Sequence, residues 1–189
     1  MLRHGETVGG NRFRGHRDDP LTDAGLAQMW QSVADGPQWD HIVTSPLRRC
    51  AQFAHALATT LQLPLTRDAR FKEMHFGQWE GRSAAEITTE DPQALARFWR
   101  DPDNHPPPGG ETLRQFQQRV LAGWQALQET LPGCNVLLVT HGGVIRLLWC
   151  HHHQRPLREL LSIEVAHASL HYLPAGPVDK PDVLQQNSG

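Results

Sequence analysis

Asn135-Val136-Leu137-Leu138-Val139-Thr140-His141-Gly142-Gly143 is an apolar run that ends on a histidine and two glycines. Apolar residues without polar alternation predict a strand covered on both faces, the habit of parallel sheets flanked by helices. Val144 to His152 reads as the helix that follows. His141 therefore falls where a strand ends and a helix begins, the place where open α/β sheets build their sites. Gly142 and Gly143 would let the N-terminus of that helix face an anion.

The rest of the chain alternates in the same way. Thr22 caps a helix expected from Asp23 to about Ala34, with Leu26, Met29 and Val33 on one face. Trp39 to Thr44 reads as a strand. A helix from about Arg48 carries Phe53, Leu57 and Leu61 on one stripe and stops before Pro64. Leu65 to Phe71 reads as a short strand and loop. Asp91-Pro92 opens a helix to about Arg100, and the stiff His105 to Gly110 loop precedes a helix from Thr112 or Leu113 to Thr130. Leu113, Phe116, Val120, Trp124 and Leu127 form the buried stripe of that helix. Leu160 to Glu164 and Ser169 to Leu173 are expected strands. Alternating strands and helices predict a three-layer α/β/α sandwich with a mostly parallel central sheet. Without a repeat or linker, residues 1–175 read as a single domain and 176–189 as a C-terminal tail.

Composition narrows the function. The 189 residues suit one domain, and a formal net charge of -2 does not ask for nucleic acid or an acidic membrane as partner. No apolar run approaches the roughly 20 residues of a bilayer span, and no signal peptide is visible. Cys50, Cys134 and Cys150 are an odd, scattered set, which fits a reducing, cytoplasmic setting. Lysine occurs only at Lys72 and Lys180, so nearly all positive charge is arginine, whose rigid fork suits phosphate oxygens, although GC-rich coding gives the same bias and is the larger cause.

The chain opens with Leu2-Arg3-His4-Gly5-Glu6-Thr7, a second histidine after apolar residues. Ser45-Pro46-Leu47-Arg48-Arg49 follows the second strand. Paired histidines with arginines and no cysteine cluster suit phosphoryl chemistry on a small anion. A neutral imidazole at His4 can attack phosphorus, and Gly5 beside it fits a close approach of backbone and substrate. Read alone, His4 would be an ordinary hydrogen-bonded core histidine, and Arg48-Arg49 a solvated helix face. His151-His152-His153 reads as a solvated helix end, since consecutive helical residues cannot all point at one ion. No carboxylate cluster asks for a metal, so the expected catalysis uses no metal and no cofactor.

Six blocks in order resemble the histidine phosphatase, or phosphoglycerate-mutase-like, superfamily. They are Arg3 to Thr7; Arg14-Gly15 with Asp19-Pro20-Leu21-Thr22, Gly25 and Gln28; Thr44 to Arg49; Glu73 to Gly81; Pro108 to Thr112; and Thr140 to Arg146. Within that superfamily the compact Gly9 to Gly15 loop and the Pro-Pro-Gly-Gly-Glu segment are most similar to α-ribazole phosphatases of cobalamin biosynthesis. Only Met1 and Leu2 precede Arg3, fewer residues than the first strand of the family, so a trimmed or misplaced start is expected.

The resemblance implies a metal-independent phosphatase working through a phosphohistidine at His4. It implies that Arg3, Arg49 and His141 surround the phosphoryl group and that Glu73 is the general acid, with Glu80 structural. It places Arg14, Gly142 and Asn11 against the phosphate, Asn11 matching the family asparagine imperfectly. His75, Trp79 and Trp99 are candidates for the apolar side of the substrate mouth, with core packing an equal alternative for both tryptophans. The implied reaction is hydrolysis of α-ribazole 5'-phosphate. Alternatives are a broad-specificity small-molecule phosphatase, a phosphoglycerate mutase, or a weakly catalytic phosphate-binding regulator. The expected partner is a small phosphorylated metabolite, with a homodimer left open.

Overall fold

The computed structural model describes residues 1–174; the tail expected at 176–189 lies outside them. Strands β1 (Leu2–Arg3), β2 (His41–Thr44), β3 (Leu65–Arg67) and β4 (Val136–Thr140) form one parallel sheet in the order β1-β4-β2-β3. Alternation along the pleat splits the apolar side chains between two cores. Leu2, Ile42, Leu137 and Val139 face helices α1 (Asp23–Ala34) and α2 (Arg48–Leu61), where Met29, Val33, Phe53 and Leu57 meet them. Val43 and Leu138 face the other way, toward α5 (Leu113–Thr130) and α6 (Gly142–His152), with Phe116, Val120, Ile145 and Leu147. Two apolar faces on a four-stranded sheet make the three-layer α/β/α sandwich expected from the sequence.

Local chemistry sets the helix ends. The Thr22 side chain accepts from Gly25 N at the start of α1, and Thr112 and Gln115 form a capping box at the start of α5. Two short helices, α3 (Ala84–Glu90) and α4 (Ala94–Arg100), pack against each other and join the α5/α6 core through Ile87 and Phe98. Helix α3 was not expected. Its Ser83–Glu86 capping box is fully formed.

The two late strands differ from expectation. Leu157–Ser162 is a 3-10 helix, because Leu160 turns inward to the α5/α6 core rather than alternating along a pleat. Ser169 to Leu173 contributes only an antiparallel bridge, Leu170 against Leu2, with Arg3 N donating to Ser169 O at 3.1 Å. No helix among the described residues is long and apolar enough to cross a membrane.

Candidate active site

Neighbouring strands deliver their C-terminal residues to one place. His4 follows β1, His141 follows β4, Ser45 follows β2, and Arg49 stands on the first turn of α2. His4 N donates to Thr140 O at 3.0 Å, tying the two strand ends together. The imidazole centres of His4 and His141 lie 5.3 Å apart, edge to face.

The hydrogen bonds decide both tautomers. His4 is buried, with Nδ1 2.8 Å from the Gly5 carbonyl oxygen. A carbonyl can only accept, so Nδ1 carries the hydrogen and Nε2 keeps its lone pair. Burial holds this imidazole well below the usual histidine range; the charges of Arg49 and Arg3 push the same way, against the Gly5 carbonyl. Arg49 Nε donates to Nδ1 of the fully buried His141 at 3.3 Å. The His141 hydrogen therefore sits on Nε2, 2.8 Å from Ser45 Oγ. Burial, then Arg49 and His4, hold His141 well below its usual range as well. Cys50 packs against it at 3.7 Å, and burial pushes that thiol up to about 12, so it stays a thiol.

Two arginines of the site make no contact with a carboxylate among the described residues. Arg49 is fully buried and donates to the carbonyls of Arg17 at 2.7 Å, Gly15 at 2.7 Å and Arg14 at 3.2 Å. Arg3 donates to Val165 O at 2.5 Å and to His167 Nε2 at 2.9 Å, while its Nε is buried without a hydrogen-bond partner. Neither forms a salt bridge among the described residues. Buried charge of this kind is stable only beside an anion or a dense set of dipoles.

Glu73 closes the other side. Its Oε2 accepts from Gly143 N at 2.9 Å and its Oε1 from Met74 N at 2.9 Å. A Cβ at Gly143 would lie 2.2 Å from Glu73 Oε1, so that glycine makes room for the carboxylate.

A cavity of about 330 Å³ opens here, and Arg3, His4, Asn11, Arg14, Glu73 and Phe76 line it. Of these, Arg3, His4, Asn11, Arg14 and Glu73 were expected at the site, and Phe76 was not. Arg49, His141 and Gly142 stand behind the wall, where His141 and Arg49 are completely buried. Arg14 is held by Asp19 at 2.8 Å and by the carbonyls of Val8 and Gly10, which folds the first loop over the cavity. Glu80 is structural, accepting from Gly15, His16, Arg17 and Phe76 amides.

Some expectations give way. A Cβ at Gly5 would meet Gly25 O at 2.1 Å, so this glycine admits α1 rather than substrate. Trp79 takes the core alternative, and Phe13 and Phe76, rather than His75, line the cavity. Trp99 stacks on Phe13 with ring centres 6.3 Å apart. Among the described residues, no group of three or more His, Cys, Asp or Glu is placed to hold a metal.

Other contributors gave no motif. His167 lines the cavity with its ring 5.7 Å from His4. Arg119 grips Glu111 through two bonds of 2.9 and 2.8 Å and donates to the carbonyls of Arg70, Lys72 and Glu73. The i,i+3 and i,i+4 apolar spacing of α5 marks its buried face but not the reach of an arginine beside that face.

Known proteins resemble this chain in sequence and in fold. The family model described as histidine phosphatase superfamily (branch 1) matches residues 1–183. The adenosylcobalamin/alpha-ribazole phosphatase of Escherichia coli (strain K12) is 32% identical over 152 residues, 78% of this chain and 75% of that protein. A glucosyl-3-phosphoglycerate phosphatase of Mycolicibacterium vanbaalenii is 35% identical over 162 residues, 78% of this chain and 70% of that one. The crystal structure of the alpha-ribazole phosphatase from Shigella flexneri superposes with a TM-score of 0.78 at 28% identity, covering 88% of this chain and 85% of its own.

Proposed function

This chain belongs to branch 1 of the histidine phosphatase superfamily, and from that premise we propose that it hydrolyses α-ribazole 5'-phosphate to α-ribazole and phosphate. Membership makes it a phosphomonoesterase that acts through a histidine on a small phosphorylated metabolite. The residue roles and the substrate are our reading.

The observation that carries the reading is a nucleophile beside unneutralised charge. His4 offers a bare Nε2, while Arg3 and Arg49 bring guanidinium charge with no carboxylate partner among the described residues. Two cations invite a dianionic phosphoryl group, and the unpartnered Arg3 Nε supplies a donor for one of its oxygens. His4 Nε2 attacks phosphorus, the phosphorus–oxygen ester bond breaks, and the leaving oxygen takes a proton from Glu73. Water then gives a proton to Glu73 and attacks the phosphohistidine; the phosphorus–nitrogen bond breaks and phosphate leaves. His141 sits under His4 and, with Arg49, fixes the floor of the phosphate site. Arg14, Asn11 and the amide end of α6 at Gly142 complete the anion's surroundings.

Relatives named for α-ribazole phosphatase activity favour that substrate. The test is phosphate release from α-ribazole 5'-phosphate against glucosyl-3-phosphoglycerate and simple phosphomonoesters. A kcat/KM for α-ribazole 5'-phosphate at least about tenfold above the others supports the substrate. Replacing His4 by Ala should abolish turnover; robust activity in His4→Ala would defeat the phosphohistidine route.

A further inference from the structure

A second cavity, of about 160 Å³, lies against the first and shares Glu73 and Phe76 with it. Its remaining walls are mostly apolar, among them Phe98 and Trp99 of α4, Phe116 of α5, and Leu160 and Leu161 of the 157–162 turn, with the arginines Arg100, Arg146 and Arg158 between them. Trp99 is 44% exposed and Leu161 50% exposed, two large apolar side chains held at the rim in water. Arg100 and Arg158 stand beside them and make no salt bridge among the described residues.

Position relative to Glu73 gives this cavity its meaning. In a displacement at phosphorus the leaving oxygen lies opposite the nucleophile, and the general acid must touch that oxygen. Whatever the oxygen carries extends past the acid. Glu73 lines both cavities whereas His4 lines only the first, so the space reached from His4 past Glu73 opens into this largely apolar cavity. An aromatic ring would cover Trp99 and Leu161 from water, and the guanidinium planes of Arg100 and Arg158 can lie over its faces.

We propose that this cavity is the leaving-group subsite and that it selects phosphomonoesters whose alcohol carries an aromatic ring a few bonds from the ester oxygen. The inference rests on the phosphatase reading above and adds where the ring sits and what holds it. Phe76 forms the threshold between the two chambers, and its edge-to-face contact with Phe13, at 5.1 Å between ring centres, keeps it upright.

A matched pair of substrates tests it. Butyl phosphate and 4-phenylbutyl phosphate release alcohols of nearly equal acidity and differ by the ring alone. The unaltered full chain should favour the phenyl compound by about tenfold or more in kcat/KM. That ratio should fall toward one both in Trp99→Ala and in Leu161→Asp, the second touching only an exposed rim position. A ratio near one in the unaltered protein, or a ratio that survives both substitutions, overturns the subsite. A ratio that moves only with Phe13→Ala places the ring over the first loop and also overturns it. Failure to hydrolyse either compound, or α-ribazole 5'-phosphate, would instead bring down the phosphatase reading on which the subsite stands.

Discussion

Arg49 shows how a single side chain can set the state of two others. Its charge is buried, and its donors go to three carbonyls and an imidazole rather than to an acid. Its Nε fixes the hydrogen of His141 on the far nitrogen, and its charge adds to burial, the larger cause, in holding both imidazoles below their usual range. A neutral His4 with its hydrogen on Nδ1 is the reactive form of a nitrogen nucleophile. Nitrogen-15 NMR of the imidazoles should therefore find His4 Nε2 unprotonated at pH 6.5, where an unperturbed histidine is about half protonated. An imidazolium signal for His4 at that pH, or a hydrogen on Nε2, would contradict this account. The residues proposed to act on the phosphoryl group were legible because each lies in a short contiguous motif: Arg3-His4-Gly5, Ser45 to Arg49, Glu73 to Gly81, Thr140 to Gly143. His167 was not, because it reaches the cavity from a segment whose local sequence carries no pattern and touches Arg3 only through folding.

Between elements, the segment from Arg70 to His75 has little regular structure of its own, yet it presents Glu73. Helix α5 holds it. Arg119 binds three of its carbonyls while Glu111, gripping Arg119, also accepts from His75 N at 3.2 Å. Backbone carbonyls look alike in any sequence, so a clamp made of them leaves no motif, whereas the Ser83–Glu86 box that starts α3 was there to be read. The same limit explains the 157–162 turn: Leu160-Leu161 is too short an apolar run to separate a strand from a helical turn. Arg119 is a positioning residue for Glu73, and its effect should follow the leaving group. In Arg119→Gln, turnover of an alkyl phosphate should fall by about 10- to 100-fold, the scale of a small misplacement of a catalytic group. Turnover of p-nitrophenyl phosphate, whose leaving group needs no proton, should fall far less. Equal losses on both substrates would mean that the clamp only supports the fold.

The whole molecule carries the electrostatic consequence of this site in its stability. His4 and His141 are buried and neutral, each held below the value it would have in the unfolded chain, chiefly by burial. His16, His152, His167 and His171 are shifted the same way from less buried positions. Below the unfolded value, about 6.5, the unfolded chain therefore binds more protons than the folded one. Stability from these groups is complete above that pH and is lost as pH falls toward the folded values. One such group contributes a slope of at most about 1.4 kcal/mol per pH unit, so His4 and His141 together reach about 2.7. Urea unfolding should show a midpoint that falls more steeply between pH 6 and 5 than between pH 8 and 7. His4→Asn keeps a donor for the Gly5 carbonyl, and His141→Gln keeps one for Ser45. The double variant should start lower at pH 8 yet lose less between pH 6 and 5. If its midpoint falls as steeply as that of the unaltered protein, the two buried imidazoles are not the source of the acid sensitivity. A phosphate dianion should raise the midpoint of the unaltered protein at pH 7, since it binds the folded state alone and offsets Arg3 and Arg49.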